Sequence, residues 1–193
     1  ALNRNQILQY YMIFGGVPYY WGFLKKGLSL SQNIDSILFE KDAPLRDEFK
    51  YLYASVFKKP ENYVKIIEAL GTKKVGMTRE EIITATKIPN SGDLTTKLEE
   101  LESCGFIRKY NAFGMKKKNA IYQLMDCFTL FYFKFLKSEP TDEHFWTNQI
   151  NTPAVNTWLG LAFERVCMEH VDQIKFKLGI SGVLTEVNSW YCK

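Results

Sequence analysis

Hydrophobic residues recur at helical spacing over most of this 193-residue chain, which predicts a mainly α-helical protein. The segment QILQYYMIF predicts a first helix, and Gly15-Gly16 ends it because glycine adopts C-cap geometry without steric strain. Pro18 suits the first turn of the next helix, where no backbone N–H is needed. Further along, apolar residues share one helical face: Leu30, Ile34, Ile37 and Leu38.

The middle of the chain changes from helices to a hairpin. Thr78 and Glu81 form a capping-box pattern at the start of one helix, and leucines at helical spacing predict the next. Two β-prone runs, Phe106–Tyr110 and Ala120–Leu124, then flank a turn. Helices followed by a hairpin in this order are typical of a winged helix-turn-helix domain, which we place at residues 60–125.

The last third begins with an aromatic run, Leu124–Leu136, which is too short for a bilayer span of about 20 residues and predicts a core helix. A polar stretch at 137–152 predicts a linker. A long helix is expected from Pro153 to Phe176, with Trp158, Leu161, Ala162, Val166 and Ile174 facing inward. The alternating segment GVLTEVNSWYC predicts a strand, and a strand needs a partner, so we expect an incomplete α/β domain here.

Composition and charge set only broad limits. Hydrophobic residues make up 46% and charged residues 24%, which indicates a globular protein rather than a disordered one. A net charge of +4 identifies no partner by itself. The four cysteines show no C-x-x-C spacing and there are two histidines, so a structural zinc site is not predicted. The cysteines favour a reducing compartment, and we expect a cytoplasmic protein with no membrane segment.

Three stretches carry a resemblance to a known family. GGVPYYW at 15–21 is similar to the Gly-Gly-x-Pro corner that opens the lid of prokaryotic AAA-type P-loop ATPases of archaeal and Bacteroides type. MDCFTLFYFKFL at 125–136 resembles the aromatic segment after the winged helix of that family. GLAFERV at 160–166 resembles the helix that begins its restriction-endonuclease-like domain.

The resemblance implies the C-terminal part of such an ATPase. It assigns 1–59 to the helical lid, 60–136 to the winged helix with its trailing aromatic helix, 137–152 to the linker and 153–193 to the start of the nuclease-like domain. Gly15, Gly16 and Pro18 would form the corner where the lid follows the ATPase core. The chain has no G-x-x-x-x-G-K-[ST] motif, so we expect no ATP hydrolysis by this chain alone. The resemblance implies that ATP and Mg²⁺ bind the ATPase core of a longer parent protein and that this core is a partner of the present chain. No cofactor is expected in the chain itself.

Few residues match the catalytic motifs of the family. The nuclease-like fold gathers a helix Glu, a strand Asp and a Glu-x-Lys around a metal, and Glu164 alone matches. Glu164 equally fits a plain surface position. Arg4 and Lys25 are candidates for nucleotide contact in the lid, although solvated charges are the preferred interpretation.

The winged helix is the remaining functional candidate, and its charges are divided. Its third helix offers Thr95, Thr96 and Lys97, but four acids give that helix a net charge of −3, which disfavours phosphates. The hairpin is basic, so any DNA contact should come from the wing and reach the backbone rather than the bases. Its positive residues are Arg108, Lys109, Lys116, Lys117 and Lys118.

Three hypotheses stay open from the sequence. The first is a fragment of a P-loop ATPase whose lid and winged helix couple nucleotide state to a DNA or protein partner without being catalytic themselves. The second is a stand-alone winged-helix DNA-binding regulator, which the basic wing favours and the acidic third helix disfavours. The third is a protein interaction module.

Overall fold

The computed structural model describes residues 2–111 and 120–185. These residues are mainly helical, with a small antiparallel sheet of three strands, which confirms the prediction of a mainly α protein. They form two compact units: the first contains the residues up to Lys50 with Cys127–Val183, and the second contains Tyr51–Asp126 with the described residues after Val183.

The elements follow the chain in this order: α1 Arg4–Phe14, α2 Pro18–Trp21, α3 Leu30–Leu38, α4 Glu48–Val56, α5 Glu61–Gly71, β1 Met77–Thr78, α6 Arg79–Thr86, α7 Gly92–Ser103, β2 Ile107–Tyr110, β3 Ile121–Leu124, α8 Cys127–Phe131, a π-helical turn Tyr132–Leu136, α9 Phe145–Gln149, α10 Pro153–Glu169 and α11 Val171–Lys177. No helix in the described ranges combines the length and the apolar content needed to cross a bilayer.

The glycine-proline corner of the first unit forms as the sequence predicts. Gly15 follows α1 with a φ of 61° and donates its N–H to the Tyr11 carbonyl. Pro18 is the first residue of α2. The Trp21 Nε1–H donates to the Gly15 carbonyl at 2.8 Å, so the second helix is bonded to the end of the first.

An aromatic cluster forms the core of the first unit. Phe131 and Phe135, on either side of the start of the π-helical turn, contact the indoles of Trp146 and Trp158 at ring-centroid distances of 5.2–5.5 Å. Offset and edge-to-face aromatic contacts of this kind add to the free energy gained from burying the rings. These side-chain contacts connect α8 and the π-helical turn with α9 and α10.

A buried carboxylate holds α9 in place. Asp35 on α3 is 1% exposed, and its oxygens accept hydrogen bonds from the Trp146 N–H at 2.7 Å and the Thr147 N–H at 3.1 Å. The Thr147 hydroxyl donates to the same carboxylate at 2.5 Å. The first N–H groups of a helix have no partner within it, and a carboxylate is their best acceptor.

Two parts of the C-terminal interpretation need correction. Residues 137–152, assigned to a linker, contain α9, because Asp35 satisfies its first N–H groups and Trp146 packs in the core with 2% exposure. The predicted helix from 153 to 176 is interrupted at His170, whose φ of −111° and ψ of 26° lie outside the helical region. Its ring Nδ1 lies 2.8 Å from the Val166 carbonyl oxygen. Ile174, predicted to face inward, is 40% exposed. Most of the strand predicted at 182–192 lies outside the described residues.

The second unit packs α5, α6 and α7 against the sheet. The strand order is β1-β3-β2, and both pairs are antiparallel, with Met77 opposite Tyr122 and Ile107 opposite Leu124. The pairing of β2 with β3 confirms the two predicted hairpin strands, whereas their connection at 112–119 lies outside the described residues. Leu94, Leu98 and Leu101 are buried at the predicted spacing. The other two helices bury Ile66, Ile67, Leu70 and Ile82.

Gly76 leads the chain into β1, a strand that the hydrophobic pattern does not predict. Its φ is 86°, and a Cβ at this position would lie 2.3 Å from the Tyr122 carbonyl oxygen. A two-residue strand carries almost no periodicity, so the sequence holds no signal for it. Only glycine lets the backbone enter β1 this close to β3.

Replacing Asp35 by alanine should destabilise the protein by roughly 3 kcal/mol, because two N–H groups at the start of α9 lose their acceptor in a buried position. Asp142→Ala is the matched control: this exposed carboxylate near the same helix accepts from the His144 N–H and the Asn148 side chain. Chemical denaturation of both variants measures the difference. Equal stability of the two variants would contradict the structural role of Asp35.

Candidate functional site

The second unit presents α7, the third helix of the predicted winged helix, as its candidate binding element. The helix begins where the Ser91 side chain accepts from the Leu94 N–H at 3.4 Å. Leu94, Leu98 and Leu101 are buried, so the opposite face of the helix is exposed. That face carries Thr95, Thr96 and the acidic residues Asp93, Glu99, Glu100 and Glu102.

Lys97, the basic residue of α7, is engaged by its own unit. Its Nζ lies 2.5 Å from Asp93 Oδ1, and its side chain is 13% exposed. The ammonium also lies 5.3 Å from the centroid of the Tyr63 ring on α5. Ion-pair and cation–π contacts within the unit therefore compete with any phosphate for this charge.

Thr95 and Thr96 are exposed, and their hydroxyls donate to carbonyls of the preceding turn. Thr95 Oγ1 lies 3.5 Å from the Ser91 carbonyl oxygen, and Thr96 Oγ1 lies 3.3 Å from the Gly92 carbonyl oxygen. Threonines in helices commonly make this bond, and it leaves the hydroxyl oxygens as acceptors. The exposed face of α7 is thus acidic and rich in acceptors.

Tyr63 belongs to no motif in the sequence, yet it links α5 to α7. Its hydroxyl donates a hydrogen bond to Glu100, and its ring stacks on Phe57 at a centroid distance of 3.9 Å. Burial, together with the Glu100 carboxylate, raises the pKa of Tyr63 to about 12. A tyrosine and a carboxylate on sequence-distant helices leave no local motif, so only the fold brings the pair together.

Of the basic hairpin residues that the structure describes, Arg108 bonds to neighbouring side chains and Lys109 is exposed. Arg108 Nε donates to Gln123 Oε1 at 2.7 Å, and its guanidinium lies 4.6 Å from the Tyr110 ring centroid. Lys109 is exposed, with its Nζ 5.8 Å from the Tyr122 ring centroid. Lys116, Lys117 and Lys118 lie outside the described residues.

Arg79 is a second residue that sequence motifs miss. It begins α6, and its guanidinium donates to the Asn90 side chain and to the Ser91 carbonyl, both at 2.9 Å. Ser91 is the N-cap of α7. Arg79 therefore fixes the turn between the two helices, and its signal in the sequence is only a charge near a capping box.

The candidates in the first unit lie on its surface. Arg4 and Lys25 are exposed, and the Lys25 backbone, rather than its ammonium, bonds to the Asn33 side chain. Glu164 is exposed on α10. Within residues 2–111 and 120–185, no three His, Cys, Asp or Glu side chains lie close enough together to hold a metal.

No family model matches the chain, and no curated protein or solved structure is significantly similar to it. The assignment of any function therefore depends on the residues and their geometry. The structure pairs Asp93 with Lys97 and Glu100 with Tyr63, whereas Glu164, Arg4 and Lys25 are exposed on the first unit.

The Glu100 carboxylate should raise the measured pKa of Tyr63. Because the folded-state pKa of about 12 exceeds the ordinary value of 10.0, this tyrosine stabilises the fold fully below pH 10, and the contribution is lost between pH 10 and 12. Glu100→Gln should lower the pKa of Tyr63, measured by tyrosinate absorbance. Tyr63→Phe identifies which transition belongs to Tyr63, since burial also raises the pKa of Tyr11 to about 12. Glu99→Gln is the matched control. If it lowers the pKa of Tyr63 as much as Glu100→Gln does, the hydrogen bond between Tyr63 and Glu100 is not the cause.

Proposed function

We propose that the chain is part of an AAA-type P-loop ATPase, in which a helical lid and a winged helix couple the nucleotide state of the parent to a partner. The three stretches at 15–21, 125–136 and 160–166 support this family, and they follow one another in the family's order. In this proposal ATP and Mg²⁺ bind the parent's core, and this chain binds partners without catalysing a reaction.

The element order of the second unit supports the winged-helix part of the proposal. A helix, a short strand, two helices and a hairpin follow one another, and the last strand lies between the other two. In this assignment α6 and α7 are the helix-turn-helix pair, with Arg79 fixing their turn, and β2 with β3 forms the base of the wing.

The acidic exposed face of α7 supports a protein partner rather than a nucleic acid. A helix that reads DNA offers positive or neutral donors, whereas this one offers carboxylates and has its lysine paired with Asp93. A protein with a basic surface suits this face better than a nucleic acid does. We therefore propose protein coupling as the main role of the winged helix.

DNA backbone binding by the hairpin is the second candidate. Lys109 on β2 is exposed, and three lysines follow at 116–118. Contacts of this kind go to phosphates and carry little sequence information. This candidate keeps α7 away from the DNA and is compatible with a protein partner on α7.

The native mass tests the ATPase proposal. An antibody raised against this chain should detect a protein well above 22.5 kDa in the source cells, and the purified native protein should hydrolyse ATP in a Mg²⁺-dependent manner. A native band at 22.5 kDa, or a larger protein without ATPase activity, would count against the proposal.

Salt titration of DNA binding tests the second candidate. If the hairpin binds the backbone, Lys116, Lys117 and Lys118 changed together to alanine should reduce the slope of log affinity against log salt by about 2 to 3, and random duplexes should bind equally well. The matched control removes three lysines elsewhere in the unit, Lys58, Lys59 and Lys65. A duplex bound about a thousandfold tighter than random DNA would instead indicate a regulator.

A further inference from the structure

A cavity in the first unit combines a fixed guanidinium, a carboxylate and an aromatic wall. It has a volume of about 190 Å³ and lies among the end of α3, the start of α4 and the π-helical turn. Six side chains around it matter for its chemistry: Arg46, Asp47, Phe49, Lys50, Tyr132 and Glu139. The cavity does not involve α7 or the hairpin, so a ligand bound there would be independent of the proposed function.

The backbone around the cavity departs from regular geometry in two places. Tyr132 lies in the π-helical turn, where the Lys137 N–H donates to the Tyr132 carbonyl at 2.8 Å. Glu139 has a φ of 50°, a conformation that is unfavourable for a residue with a Cβ. Both π-helical turns and strained residues concentrate at functional sites.

Arg46 is positioned by the fold and retains donors for a ligand. Its guanidinium donates to the carbonyls of Phe39 at 2.7 Å, Glu40 at 3.3 Å and Pro140 at 3.2 Å. These bonds use three of its five N–H groups. The other two have no acceptor among the described residues and suit a carboxylate.

The charges of the cavity are balanced, and one pair is already formed. Lys50 Nζ lies 2.5 Å from Asp47 Oδ1. Arg46 and Glu139 then remain as one positive and one negative group, and the Glu139 carboxylate has no ion-pair partner among the described residues. A ligand with a net charge would be repelled by one of them, whereas a zwitterion matches both.

The apolar wall of the cavity is both aliphatic and aromatic, and it consists of Leu38, Phe39, Phe49, Tyr132, Leu136 and Pro140. Phe49 and Tyr132 stack at a centroid distance of 3.9 Å with an interplanar angle of 3°. The cavity volume is smaller than that of a drug-sized pocket, roughly 300 Å³ or more. The size of the cavity favours a small ligand, and its lining suits one that carries an apolar group beside its charges.

We propose that this cavity binds a small zwitterion of the α-amino acid class. Arg46 binds the carboxylate, Glu139 binds the ammonium, and the side chain of the amino acid packs near Phe49 and Tyr132. The fixed guanidinium is the anchor, because its three backbone contacts hold it before the ligand arrives.

Ligand analogues test the two-point recognition without changing the protein. L-leucine, isocaproate (no ammonium) and L-leucinol (no carboxylate) are titrated into the full chain while amide resonances are followed by NMR. We expect L-leucine to shift resonances near Arg46 and Glu139 and to bind roughly tenfold or more tightly than either analogue. Equal binding of all three compounds, or no shifts around the cavity at tens of millimolar, would overturn the proposal.

Glu139→Asn tests the ammonium contact in a variant that should fold. Asparagine tolerates a positive φ better than glutamate, so thermal unfolding should show no loss of stability. Affinity for L-leucine should fall roughly tenfold while that for isocaproate stays unchanged. If the variant is folded and L-leucine binds as before, Glu139 does not recognise the ligand and the proposal fails.

Discussion

The first unit depends on a carboxylate that the fold removes from water. A buried ionised group is strongly unfavourable unless hydrogen bonds replace its hydration. Asp35 meets this condition only when α9 presents the N–H groups of Trp146 and Thr147 to it. The same contact sets Trp146 into the aromatic core, although its indole N–H is buried without an acceptor in the described chain. Burial of the rings and satisfaction of the carboxylate therefore require the same placement of α9.

In the second unit, the core is apolar and the charged residues lie at the surface. Its helices and sheet bury an apolar core, and several of its charged residues bond to other groups of the same unit. Lys97 is held by Asp93 and Tyr63, Glu100 accepts from Tyr63, and Arg79 bonds to the turn before α7. What remains on the exposed face of α7 is negative charge. This excess of negative charge disfavours contact between α7 and phosphates.

The sequence indicates the local elements well and the long-range contacts poorly. The Gly15 corner, the Thr78 capping box and the leucine spacing of α7 are each decided within a few residues, so their patterns predict the helix boundaries. Asp35 reads as an ordinary polar residue, and its partners lie more than 100 positions away. For the same reason, the sequence does not predict the hydrogen bond from Arg46 to the Pro140 carbonyl. The sequence predicts a linker at residues 137–152 because most of these residues are polar. Only Phe145 and Trp146 are aromatic, and both pack against other rings of the first unit.

The π-helical turn at Tyr132–Leu136 also has a consequence for comparing sequences. Such a turn holds one residue more than the α-helical turn it replaces, and one residue corresponds to about 100° around the helix axis. A related chain that lacks this residue can form an uninterrupted α-helix and still keep Phe131 and the residues after the turn in place. Insertions and deletions are usually expected in loops. In this protein, an alignment that moves the gap from the helix to the loop after Leu136 would pair the buried Phe135 and Leu136 with the wrong positions.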